Sequence, residues 1–127
     1  MFLTLNHQRL TVYSASRAFI LECYRLTKHL PSDEKFSMIS QIRRAALSVH
    51  LNIAEGSSRK SAPERKRYFE ISRGSIIEID AALDVANDLN YLQNYNTENL
   101  GIQLTNCFRL LTGLINQNNL NNFTIHY

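Results

Sequence analysis

Gln41-Ile42-Arg43-Arg44-Ala45-Ala46, then Asn52-Ile53-Ala54-Glu55-Gly56, Arg59, Glu64, Phe69, Gly74-Ser75 and Glu78 form the stretch that decides the fold. Two helical periodicities meet there at a short turn. On the first side, Phe36, Ile39, Ile42, Ala46, Val49 and Ile53 recur at steps of three and four, the apolar face of a helix. Ser32 is placed to cap that helix, with Asp33 and Glu34 in its first turn, where negative charge suits the helix dipole. Gly56, Ser57 and Ser58 read as its stop. On the second side, Ser61-Ala62-Pro63-Glu64 is a capping box with proline inside the first turn. Phe69, Ser72, Ile76, Ile79, Leu83 and Ala86 then make one seam. Tyr68, Ile71, Ser75, Ala82, Val85 and Leu89 make another beside it, so this helix is to be covered on two sides, one by its own chain and the other by a neighbouring subunit.

The flanks carry the same period. Val12, Ser16, Phe19, Cys23, Leu26 and Leu30 form the seam of a first helix that Pro31 ends. Leu100, Leu104, Cys107 or Phe108, Leu111, Leu114 and Ile115 form the stripe of a last one, capped by Thr97 after a turn at 94–97. The asparagine-rich tail, Asn116 to Asn122, is expected to fray. No strand-like alternation and no internal repeat is present. The reading is all-α: one domain over residues 1–127, an antiparallel up-down-up-down four-helix bundle with helices at about 11–30, 33–56, 62–92 and 97–117.

Composition bounds the function. A chain of 127 residues, 44% apolar and 20% charged, can bury a core without staples. Its longest apolar run is Ala18-Phe19-Ile20-Leu21, too short for a membrane span. Met1 to Arg9 lacks a signal peptide's basic start and long apolar stretch, which makes the cytoplasm the default location. Cys23 and Cys107 fall on apolar stripes and are expected to be buried free thiols.

No catalytic constellation is evident. Bundles that hold two irons use Glu-x-x-His pairs, but Thr4, Leu26, Leu47 and Phe123 stand three positions before the four histidines. HExxH, GxSxG and P-loop motifs are absent. The sequence therefore predicts no enzyme, no metal and no cofactor.

The charge is uneven. Residues 1–34 carry net +1, residues 35–73 carry nine basic and three acidic groups for net +6, and residues 74–127 carry net −4. The basic sector peaks at the helical join, with Arg59 and Lys60 in the turn and Arg65, Lys66 and Arg67 in the first turns of the third helix. A cation at a helix start costs about 0.3–1 kcal/mol, and a polyanion seated there turns the cost into binding. RNA or DNA contact is the leading reading of these five residues; a solvated charged face and an acidic protein partner are the alternatives. Beside them runs a polar stripe. In an antiparallel hairpin, Arg43 or Arg44 falls opposite Glu78, and Asn52 opposite Tyr68 with Ser75 close by. Arg43, Arg44, Asn52, Glu55, Ser75 and Glu78 are thus expected to form a register-fixing polar network, with a polar binding groove at Arg44, Asn52 and Glu55 as the other possibility. Gly74-Ser75, with Ala81, Ala82 and Ala86, is read as a surface of close helix approach.

The order Gln41-Ile42-Arg43-Arg44-Ala45, Ser48, Asn52-Ile53-Ala54-Glu55-Gly56, Arg59, Ser61, Glu64, Phe69, Gly74-Ser75 and Glu78 resembles the four-helix-bundle proteins encoded by intervening sequences in bacterial 23S ribosomal RNA genes. The similarity spans about residues 8–118. It implies a four-helix bundle that assembles as a homopentamer, as in the similar accessory proteins of diversity-generating retroelements, which bind nucleic acid and a reverse transcriptase through a basic surface. The family has no established enzymatic activity. Arg65-Lys66-Arg67-Tyr68 is more basic than the corresponding family pattern, which strengthens polyanion contact and leaves the partner's identity open. Two functions follow as expectations: an oligomeric nucleic-acid-binding accessory factor, or a scaffold whose charged sectors join subunits.

Overall fold

The computed structural model describes residues 1–125, with side chains through residue 119. Four helices carry the chain: α1 Thr11–His29, α2 Met38–Ser57, α3 Ala62–Asp88 and α4 Glu98–Ile125. Short 3-10 turns at Asn6–Arg9 and Ser32–Glu34 precede α1 and α2. Neighbours in sequence pack together and α4 closes back onto α1, while the backbones of the diagonal pairs stay apart among the described residues. Cross-links give the direction of each neighbour. Thr27 meets Arg43 and Ser16 meets His50; Val49 meets Ser72 and Ser48 meets Ser75; Arg73 meets Thr112 and Arg65 meets Asn118; Glu22 meets Asn99, and Val12 lines a cleft with Leu110 and Gly113. Each pair runs antiparallel, so the architecture is the expected up-down-up-down bundle. No helix is long and apolar enough to cross a membrane among the described residues.

The α1 seam lies wholly inside, from Val12 to Leu30. Ile42, Ala46, Val49 and Ile53 of α2, Phe69, Ile76, Ile79 and Ala86 of α3, and Leu100, Cys107, Leu111 and Ile115 of α4 complete the core. Fully burying a large aliphatic or aromatic side chain contributes roughly 1.5–3 kcal/mol, so these seams supply the main drive for folding. Two buried hydroxyls are satisfied across or along the bundle: Ser72 donates to the Val49 carbonyl at 2.6 Å, and Ser16 donates to the Tyr13 carbonyl at 2.9 Å.

Several boundaries differ from the sequence reading. α2 starts at Met38, not at residue 33, because the amides after Pro31 close a 3-10 turn, and Ser37 leaves helical dihedrals at φ −126° and ψ −95°. Phe36 therefore falls outside the apolar face and is 89% exposed. Gly56 does not stop α2, which runs to Ser57 without any glycine at positive φ. Its role is clearance: a Cβ there would stand 2.9 Å from Phe69 Cε1 and 3.0 Å from Tyr68 Cβ. α3 ends at Asp88 instead of 92. Asn90 takes the left-handed conformation at φ 63° and the Tyr91 amide returns to the Ala86 carbonyl at 2.9 Å, the closure glycine usually provides. At α4, Asn96 rather than Thr97 accepts the first free amide, from Glu98 at 2.9 Å. The segment expected to fray from Asn116 onward continues as helix to Ile125.

The second seam of α3 divides. Ser75 is buried against α2, Tyr68 and Ala82 are half-buried, and Ile71, Val85 and Leu89 are exposed. A Cβ at Gly74 would meet nothing within 4 Å, so close helix approach occurs at Ser75, whose Oγ lies 2.9 Å from Ser48 Oγ, and not at Gly74.

Candidate functional site

The end of the bundle where α2 turns into α3 also receives the start of α1 and the later turns of α4. Ser61 caps α3 by accepting from the Glu64 amide at 3.3 Å, and Pro63 occupies a position that needs no donor. This fixes where the basic residues emerge.

Arg65 is built into the corner. Its Nε donates to Asn118 Oδ1 at 2.9 Å, and its Nη1 donates to the carbonyls of Lys60 at 2.8 Å and Arg59 at 3.3 Å. One guanidinium thus ties the turn to α3 and α4. Asn118 completes the arrangement by donating to the Leu114 carbonyl at 2.8 Å. Sequence reasoning missed Asn118, which is 4% exposed. The signal was available in its spacing: Leu111, Ile115 and Asn118 continue the buried stripe of α4 by four and three.

Arg59 is also engaged. Its Nη2 donates to Glu55 Oε2 at 2.9 Å and to the Tyr68 hydroxyl at 3.0 Å, with the guanidinium carbon 4.8 Å from the Tyr68 ring centre. Its Nε is buried without a hydrogen-bond partner among the described residues. Lys66 stands 3.9 Å from Glu70, the outer limit of an ion pair, on a surface where such pairs contribute at most about 1 kcal/mol. Lys60 and Arg67 are exposed and have no carboxylate partner among the described residues. The five cations therefore share one end, but only Lys60 and Arg67 are wholly uncommitted, Lys66 is loosely held, and Arg59 and Arg65 serve the turn.

The expected six-residue polar network does not form as one unit. Arg43 turns toward α1, donating from Nε to Thr27 Oγ1 at 2.8 Å with its guanidinium carbon 4.7 Å from the Tyr24 ring centre. Arg44 and Glu78 are both exposed and make no ion pair among the described residues. Asn52 donates to the Ser48 carbonyl and hydroxyl at 2.8 and 3.1 Å, and Ser48 meets Ser75. Glu55 belongs instead to the Arg59–Tyr68 group. The helical register is fixed mainly by hydroxyls and packing, because the long cations at 43 and 44 reach sideways and outward.

Two other polar groups lie along α1. His50 Nδ1 is 2.7 Å from Ser16 Oγ, and its ring packs against Tyr13, which packs in turn against His7. Burial, then the nearby Arg17 and His7 charges, hold the His50 imidazolium below its ordinary pKa. At the far end, buried Glu22 accepts from Arg25 and from Asn99. Among the described residues no three His, Cys, Asp or Glu side chains converge as a metal site would require.

A family model described as "23S rRNA-intervening sequence protein" matches residues 8–113. A comparison with curated proteins gave no match. The matched span begins in the turn before α1 and takes in α2, α3 and more than half of α4, including every quoted residue of the motif around the α2–α3 corner. The chain belongs to the 23S rRNA-intervening sequence protein family.

Proposed function

We propose that this chain is a non-enzymatic accessory factor that works as an oligomer in the cytoplasm and grips RNA or DNA with its α2–α3 corner. The observation that supports it is the pair Lys60 and Arg67, exposed and uncommitted at the positive end of α3, where the Arg65 guanidinium fixes the turn that bears Lys60. Lys66 joins them by releasing Glu70 at small cost. Repetition of the corner around an oligomer multiplies a modest footprint into a substantial one.

Fluorescence anisotropy with labelled single-stranded and duplex oligonucleotides tests the reading. Affinity should fall steeply as salt rises. Lys60→Glu with Arg67→Glu should reduce the slope of log affinity against log salt by about 2. Neither side chain holds the turn, so thermal unfolding should be unchanged. Unaltered affinity in the double variant removes the corner as the binding surface.

A second reading is a protein scaffold whose faces serve subunit contacts. It is favoured by the exposed Ile71, Val85 and Leu89 on α3 and by Arg44 and Glu78, two opposite charges without partners among the described residues. Sedimentation of Arg44→Glu distinguishes it: dissociation supports the scaffold, and an unchanged assembly counts against it.

A further inference from the structure

Beside the basic corner lies a cleft of about 200 Å³ lined by the turn before α1, the end of α2, the start of α3 and α4. Leu10, Phe69 and Leu114 give it an apolar lining. Its polar groups are neutral or cationic, and Ser57, whose hydroxyl donates to the Ile53 carbonyl at 2.7 Å, is one of them. Asn6, Gln117 and Asn118 bring carboxamides, and Arg65 brings a guanidinium. No carboxylate lines it.

We infer that this cleft takes a single unstacked nucleobase of a bound strand, with an adjoining phosphate on Lys60. The inference rests on the nucleic-acid reading above and specifies what that site would recognise. The volume is below the range typical of drug-sized ligands, so it suits one planar heterocycle and not a whole folded element. A carboxamide offers both donors and an acceptor, the complement of a base's hydrogen-bonding edge. Asn118 is already fastened to Arg65 and to the Leu114 carbonyl, so Asn6 and Gln117 are the reading groups. The apolar surface of Leu10, Phe69 and Leu114 would offset part of the stacking a base loses on leaving its neighbours.

Connectivity places the phosphate. Arg65 Nη1 holds the Lys60 carbonyl at 2.8 Å, so the turn bearing Lys60 is one hydrogen bond from the cleft. A strand crossing the corner would set its backbone on the exposed cations and turn one base inward. Duplex nucleic acid, whose bases are stacked and paired, would use the cations alone.

The experiment compares three single strands of equal length: one of ordinary sequence, one with 2-aminopurine at a single position, and one abasic throughout. The expected result is that the abasic strand binds about tenfold more weakly than the ordinary strand. The 2-aminopurine emission should change on binding. Gln117→Trp, an exposed position on the rim, should plug the cleft and bring the ordinary strand down to the abasic strand's affinity while leaving abasic binding unchanged. Asn6→Ala should give a smaller loss in the same direction. Equal, salt-sensitive binding of ordinary and abasic strands overturns the base cleft while nucleic-acid contact stands. A base preference that survives Gln117→Trp places the reader elsewhere and overturns it too. Binding of neither strand removes both readings together.

Discussion

Arg65 and Asn118, on α3 and α4, are joined through Nε and Oδ1 at 2.9 Å, and that bond fastens the α2–α3 turn to the last helix. Asn118→Ala leaves a half-buried guanidinium nitrogen unpaired and opens a small gap in a buried stripe. We expect a loss of about 1–2 kcal/mol, read as a lower urea midpoint with an unchanged slope. A loss below a few tenths of a kcal/mol would mean that solvent replaces the amide freely.

The glycines of α2 and α3 should respond in opposite senses. Gly56→Ala places a methyl 2.9 Å from the Phe69 ring and should destabilise by about 1–3 kcal/mol, since two packed helices must separate. Gly74→Ala meets open space in the middle of α3 and should stabilise by about 0.5–1 kcal/mol. Chemical denaturation of both variants checks the pair. Destabilisation by Gly74→Ala would reveal a neighbouring subunit packed on that surface.

Stability should fall on mild acidification through His50. Its folded pKa lies below the ordinary 6.5, so the unfolded chain binds the proton more readily, and stability present above 6.5 is lost as pH drops through and below it. The groups around it are Ser16, Tyr13 and Arg17 of α1 and His7 of the preceding turn, and none is acidic. His50→Gln should flatten the dependence of the urea midpoint between pH 5.5 and 7.5. Glu34 acts in a separate, lower window. The Ser37 and Tyr91 hydroxyls hold its carboxyl below 4.5, so its contribution disappears only as pH falls beneath that value.

Cys23 and Cys107 should be inert in the native protein. Burial, with the neighbouring Cys107 and Glu22 adding to it for Cys23, pushes both thiols up to about 12. Reaction with a thiol-specific disulfide reagent at pH 8 should be slow until denaturant unfolds the bundle. Rapid native labelling of either one would show that α1 and α4 part locally.

The fold was legible because the core seams obey the three-and-four spacing: Val12, Ser16, Phe19, Cys23 and Leu26 of α1, and Leu30 just after it, are all buried. The joins were less legible, and the reasons are local. Phe36 fits the α2 period, but the 3-10 closure after Pro31 puts it outside the helix. Asn90 ends α3 by adopting a conformation usually given to glycine, so composition hid the stop. The five cations Arg59, Lys60, Arg65, Lys66 and Arg67 follow the α2–α3 turn in sequence, but spacing does not name their individual partners. A long side chain such as Arg43 chooses among two helices and solvent, and sequence spacing fixes only where its Cα starts. Asn118 lies in the tail that the sequence reading expects to fray, whereas here one amide satisfies both α4 and Arg65.

The bracing of the 59–60 turn has a thermodynamic consequence for anything that docks there. Its backbone shape is set from within by a guanidinium that grips two main-chain oxygens, so the phosphate chain proposed to dock there would find a surface already organised. The rotamers of Lys60, Lys66 and Arg67 would remain to be frozen, at about 0.5–1.5 kcal/mol each. Association can then be fast and salt-tunable without any folding step at the point of capture.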